Sequence, residues 1–182
     1  MTKNMGCLAI AVCLKFAVVK QPLGDPETPY TREVQHVTSM STAPWFEFNV
    51  RAQPHHTDFG GIVWHGHYIA WMEAARVDVL RQIGMPFETF VAADINLVVV
   101  DLNLRYRRPV SMGEEIVVLE RPLVPQSVRL PWEYEIRSRD REILHVSATL
   151  TLAPVDGSGK LYRRHPQMLA DAYDRIQQGN GM

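Results

Sequence analysis

The stretch His-His-Thr-Asp-Phe-Gly-Gly-Ile-Val-Trp-His-Gly-His-Tyr, residues 55–68, runs without a break into an amphipathic segment that stops at Gly84. It places one carboxylate, Asp58, in a glycine turn just ahead of a predicted helix whose first turn is poor in bulky side chains. Free backbone N–H groups and the positive end of the macrodipole at a helix N-terminus stabilise a developing oxyanion. A carboxylate facing that end can attack a carbonyl or activate water. Asp before Phe-Gly-Gly also has a plain reading as a turn-former.

The segments on either side decide what surrounds this helix. At about 100° per residue, Ile69, Met72, Val79, Leu80 and Ile83 share one arc over residues 66–83, and Gly84 supplies a C-terminal stop. Upstream, Phe46, Phe48 and Val50 alternate with Glu47, Asn49 and Arg51 in a period-two strand ended by Pro54. Downstream come four strand-like runs, residues 96–108, 114–121, 129–139 and 142–153. They are separated by Pro109-Val-Ser-Met-Gly, by residues 122–126 and by a tight Asp140-Arg141 turn. The order β-α-β-β-β-β predicts an α+β fold, an antiparallel sheet of about five strands with the single long helix covering one face. After a turn at Asp156-Gly-Ser-Gly, Pro166 opens a short C-terminal helix with Met168, Leu169 and Ala172 on its apolar side.

Composition narrows the function classes. The chain has 182 residues and a formal net charge of −1, the size of one domain with a real core. Its basic residues are dispersed, with no arm or face able to neutralise phosphates, which argues against nucleic-acid binding. From residue 40 onward there are 14 Arg and one Lys, Lys160, an imbalance that points to genome composition more than to function. Cys7 and Cys13 are the only cysteines, so the body of the chain has no disulfide and no Cys-based metal site, as suits a cytoplasmic location.

Residues 1–39 differ from the rest. Met5 to Val19 is apolar apart from Lys15, and Pro22, Pro26 and Pro29 follow with linker-like spacing. A secretory signal fits poorly, because Lys15 breaks the apolar run, no small-x-small cleavage site follows, and Val12 stands where a lipobox needs a small residue before Cys13. The run is too short and broken to span a bilayer. The expectation is an extension, disordered or extraneous to the fold, with the folded domain at residues 40–182 and Met40 as the biological start.

Residues 46 to about 165 resemble the hotdog-fold 4-hydroxybenzoyl-CoA thioesterase family, including its bacterial short-chain acyl-CoA thioesterase branch. The resemblance is carried by Thr57-Asp58-x-Gly60-Gly61-Ile62-Val63-Trp64-His65, by Tyr68, Glu73 and Arg76, and by Tyr106-x-x-Pro109 with Gly113-Glu114. The closing Val155-Asp156 turn adds to it. It implies a long helix wrapped by a curved antiparallel sheet, and a homodimer with its active sites at the subunit interface, often doubled into a dimer of dimers, a homotetramer. It also implies that Asp58 occupies the position of the catalytic carboxylate, and that the His65 side chain polarises the carbonyl or assists proton transfer. No cofactor is implied beyond the coenzyme A of the substrate.

A thioester has a good leaving group and little resonance stabilisation, so one carboxylate with an oxyanion site can suffice; Asp58 acts as nucleophile or as general base. The backbone N–H groups of His65 and Gly66 are the natural oxyanion donors, and Gly66 would let an acyl chain approach the backbone. Glu73 and Arg76, both placed within the apolar arc, read as a buried ion pair; Glu73 is the alternative carboxylate, since another hotdog branch uses a helix glutamate after His-Gly-Gly, here the incomplete His65-Gly66-His67. Arg107, Arg108 and Arg129 are candidates for the CoA phosphates. His55, His56, His65 and His67 invite a metal site, but adjacent residues of an extended segment point to opposite sides, so no metal is expected. The sequence thus predicts hydrolysis of a short-chain or aromatic acyl-CoA. The alternatives are delivery by an acyl-carrier protein, a noncatalytic acyl-CoA-binding or oligomerisation module, and, less favoured, a hydratase.

Overall fold

The computed structural model describes residues 43–179; the expectations for residues 1–39 lie outside them. Strand β1 (Phe46–Arg51) is followed by a short 3-10 turn, Pro54–His56, and the long helix α1 (His65–Gln82). A short helix α2 (Phe87–Ala92) leads to β2 (Asn96–Tyr106), β3 (Glu115–Pro122), β4 (Leu130–Ser138) and β5 (Leu144–Val155). Helix α3 (Gln167–Gln178) follows. The strands form one sheet in the order β1-β3-β4-β5-β2, every neighbouring pair antiparallel. This is the α+β hotdog architecture, a central helix wrapped by a five-stranded antiparallel sheet.

Alternation along the strands explains which side meets the helix. Ile116 and Val118 of β3 share a face with Tyr134 and Ile136 of β4 and with Val146 and Ala148 of β5, and all belong to one buried core. Helix α1 answers with Tyr68, Trp71, Met72, Ala75, Val79 and Leu80, all buried. Ile69, expected within this stripe, is 37% exposed, and Tyr68 and Trp71 take the buried places at that end of the helix. Burying six such apolar side chains contributes on the order of 10 kcal/mol to folding, at about 1.5–3 kcal/mol for a large one.

Two features of the interior were not anticipated. Helix α2 forms over a segment that reads as a plain connection; Phe90, its one buried residue, anchors it. Glu120 shares the parity of Ile116 and Val118 and therefore points into the core, across the ladder from Tyr134. Arg76 reaches the same place from α1, donating to the Tyr134 hydroxyl at 3.1 Å and pairing with Glu73. The expected buried pair is thus half right. The Arg76 side chain is 7% exposed but that of Glu73 is 53% exposed, because Glu73 sits just beyond the edge of the helix's apolar arc. Burial pushes the Glu120 carboxyl up to about 8, against the pull of Arg76 and Tyr134, and neither of its oxygens makes a hydrogen bond of normal geometry.

Among the described residues no helix is long and apolar enough to cross a membrane.

Candidate active site

The loop that carries Asp58 is built by backbone pairing. Thr57 bridges Val63, the Asp58 N–H donates to the Ile62 carbonyl at 2.9 Å, and Gly61, at φ 74°, donates to the Asp58 carbonyl at 3.1 Å. The left-handed φ is why a glycine stands there. A second set of bonds ties this loop to the segment after β2: Val63 N–H to Val110 O at 2.8 Å, and Met112 N–H to Gly61 O at 3.1 Å. Within the turn, Asp58 Oδ1 accepts the Gly60 N–H at 2.8 Å, which orients the carboxylate while Oδ2 has no hydrogen-bond partner among the described residues.

Helix α1 begins at His65, with Trp64 as the extended residue before it. The His67 N–H donates to the Trp64 carbonyl at 2.9 Å. Among the described residues, the N–H groups of His65 and Gly66 have no acceptor, the state expected of the first donors of a helix. Asp58, His65, Trp64, Tyr68, Tyr106, Arg107 and Arg108 line one open cavity of about 470 Å³. The structure therefore brings together Asp58, the helix start, Arg107 and Arg108. It leaves Arg129 elsewhere, at the turn between β3 and β4 where it pairs with Gln126, and Glu73 does not line the cavity.

Several residues that line this cavity, or bond to residues that do, carry no role in the sequence reading. The Tyr106 hydroxyl donates to the His65 carbonyl at 2.9 Å and so pins the end of β2 to the first turn of α1. The Tyr68 hydroxyl accepts the Val110 N–H at 3.1 Å. His145, buried on β5, sits beneath the arginines: the Arg107 and Arg108 N–H groups donate to its carbonyl at 2.8 and 3.3 Å. Its Nδ1 lies 3.1 Å from the Pro109 carbonyl, and since a carbonyl only accepts, Nδ1 carries the proton. Arg107 donates from Nε to Ser147 Oγ at 3.2 Å, and among the described residues neither Arg107 nor Arg108 has an ion-pair partner.

The histidines correct one expectation. Residues 54–56 form a 3-10 turn rather than an extended segment, and the ring centroids of His55 and His56 lie 4.1 Å apart, with that of His67 4.9 Å from His56. His56 Nδ1 accepts the Gln53 N–H at 3.0 Å. Burial and the neighbouring His55 and His67 hold His56 below the usual histidine range. Among the described residues no group of three or more His, Cys, Asp or Glu side chains is arranged to hold a metal ion.

Gly66 is also used differently from the expectation. A Cβ on it would overlap Cε3, Cζ3 and Cη2 of the Trp64 indole, so the group that approaches its backbone is this chain's own tryptophan.

Over most of its length the chain is similar to a known protein. It is 39% identical over 158 residues to "Putative esterase sll0410" of Synechocystis sp., covering 86% of this chain and 93% of that protein. The chain belongs to the hotdog-fold thioesterase superfamily. The family profile described as "Thioesterase superfamily" matches residues 60–144, beginning two residues past Asp58. The acyl-CoA thioester hydrolase YbgC of Escherichia coli O157:H7 is 23% identical over 107 residues, 59% of this chain and 80% of that one. The crystal structure of DHNA-CoA thioesterase from Staphylococcus aureus superposes with a TM-score of 0.67 at 25% identity, covering 75% of this chain and 93% of that chain. Membership places this thioesterase-family chain close to the 4-hydroxybenzoyl- and acyl-CoA thioesterase branch and carries acyl-CoA thioesterase function at the family level.

Proposed function

We propose that this protein hydrolyses a short-chain or aromatic acyl-CoA, with Asp58 as the catalytic carboxylate and the backbone N–H groups of His65 and Gly66 as oxyanion donors. The observation that carries this reading is the cavity where an oriented carboxylate lies beside a helix start, one carboxylate oxygen and the first two helix donors having no hydrogen-bond partner among the described residues. With Asp58 as general base, its carboxylate takes a proton from water as the water oxygen bonds to the thioester carbon. The carbonyl oxygen gains the negative charge between the two N–H groups, and collapse breaks the C–S bond to release CoA thiolate and the acid. With Asp58 as nucleophile, the same donors serve a mixed anhydride that water then cleaves. The His65 side chain assists proton transfer to the leaving sulfur, and Arg107 and Arg108 bind CoA phosphates.

The reading includes a homodimer. β2 is an edge strand with no partner on its outer side among the described residues, and Val98, Val99 and Val100 on it are exposed. An apolar, unpaired edge invites pairing with the same edge of a second copy. Phe59, fully exposed beside Asp58, would be covered by the same association, which completes the site. Residues 40–182 are proposed as the sufficient folding unit.

A panel from acetyl-CoA to palmitoyl-CoA, with benzoyl- and 4-hydroxybenzoyl-CoA, tests the activity by release of free thiol. Wild-type turnover that survives in Asp58→Asn removes the mechanism; no turnover of any thioester by the wild type favours the noncatalytic acyl-CoA-binding module. Light scattering tests the association: Val99→Lys should give monomers with impaired turnover, and an unchanged mass would remove β2 from the interface. A chain starting at Met40 should fold and turn over like the full-length protein; insolubility would refute the proposed boundary.

A further inference from the structure

Trp64 occupies an unusual place for so large a side chain. Its backbone, at φ −62° and ψ 136°, leads the chain into α1, and its indole doubles back over the first turn to rest where Gly66 has no Cβ. The ring centroid lies 4.6 Å from that of His65 and 5.7 Å from that of His67. Half of the residue is exposed, and it borders the cavity that contains Asp58. The space above Gly66 is therefore filled by an aromatic plate.

We propose that Trp64 is the acyl-specificity residue of this site, an aromatic stop seated on Gly66 that admits short or flat acyl groups and rejects long chains. The proposal rests on the acyl-CoA reading above and names the feature that selects the acyl group. A thioester oxygen held by the His65 and Gly66 N–H groups puts the carbonyl carbon against the first turn of α1. The acyl group then meets the indole bordering that turn. A flat aroyl ring or a short acyl group packs on the indole face. A long chain must push the indole off the turn, losing its contacts with the His65 and His67 rings and with the Gly66 backbone. Gly66 is the enabling half of the device, because any side chain there evicts the ring. The two positions should then behave as one coupled unit.

The test uses the full chain and four proteins: wild type, Trp64→Ala, Gly66→Ala and the double variant. Two readouts are taken along a series from acetyl to dodecanoyl: kcat/KM for acyl-CoA thioesters, and Kd by calorimetry for the matching S-alkyl-CoA thioethers, which cannot be hydrolysed. Trp64→Ala should raise the dodecanoyl-to-acetyl preference by about tenfold or more, the scale on which pocket size discriminates apolar groups. Gly66→Ala should move it the same way with the tryptophan still present, since the new Cβ displaces the indole. The double variant should add little further. A merely structural role for Trp64 would lower every chain length in proportion and leave the preference unmoved, which would overturn the proposal. So would a Gly66→Ala protein that keeps the wild-type preference, or thioether binding that is absent or indifferent to chain length. If thioesters are not hydrolysed yet the thioether preference shifts as stated, the hydrolytic reading fails and the role of Trp64 stands.

Discussion

Helix α1 carries two polar regions that the fold treats in opposite ways. At its start, the His65 and Gly66 N–H groups and the Asp58 carboxylate keep open hydrogen-bonding capacity beside a cavity. About three turns further on, Arg76 is sealed under the sheet with Tyr134 and Glu120, and its guanidinium is taken up by Tyr134 and Glu73. The first region has polar groups whose bonds are left unmade among the described residues; the second has polar groups held in place by burial. Chemistry on a passing molecule needs the former, and a costly buried network serves only the folded state.

Substitutions should separate the two regions cleanly. The largest effect is expected from Asp58→Asn, which should lower thioester kcat by about a thousandfold, the middle of the range for a positioned general base. Its urea midpoint should stay close to that of the wild type, because the asparagine side chain can still accept the Gly60 N–H. A comparable loss of stability would erase the distinction between a working and a supporting region.

The next effect is the pH dependence set by Glu120. In the unfolded chain this carboxyl loses its proton near its ordinary value of 4.5, whereas in the folded protein it keeps the proton up to about 8. The folded state binds the extra proton between those values, so the contribution is fully present below 4.5 and is lost as pH rises toward 8. It amounts to roughly 5 kcal/mol. Urea unfolding of Glu120→Gln across this window should show a flatter curve than the wild type; parallel curves would mean that Glu120 ionises normally inside the fold.

Arg76→Ala should cost about 3 kcal/mol by the same measurement, from lost packing and from leaving Tyr134 and Glu120 without their cation. Its KM for acyl-CoA should be little changed. A KM change without a stability change would move Arg76 into the site.

The smallest effect concerns His56, which stands at the border of the two regions. Its folded value lies below 6.5 and its ring must be neutral to accept the Gln53 N–H. As pH falls below 6.5 the unfolded chain takes up a proton that the folded chain resists, so stability falls on the acid side. His56→Gln should blunt that acid loss in a thermal melt series, and an unaltered slope would assign the loss to other groups.

The readability of these features from sequence follows the same division. The order of strands and the position of α1 were legible because apolar periods of two and of about 3.6 residues leave a pattern in the chain, as Phe46-Phe48-Val50 and Met72-Val79-Leu80 do. Asp58 beside His65 was legible because the carboxylate and the helix start are near neighbours in sequence. Glu120 carries a sequence signal of its own, since it occupies a position in the Ile116-Val118 parity where an apolar residue belongs. Tyr106 and His145 had no such mark, because their partners lie 41 and 36 residues away at His65 and Pro109.

The strand-and-helix order and the local pairing of a carboxylate with a helix N-terminus are written in the chain itself, because both rest on short-range periodicity and turn chemistry. It took the folded arrangement to show that Arg107 and Arg108 share a cavity with Asp58 while Arg129 does not, that the histidines at 55, 56 and 67 gather, and that Trp64 fills the space over Gly66. Each of these depends on how distant strands close around the helix or on which way a side chain folds, and neither is encoded in the spacing of residue types along the chain.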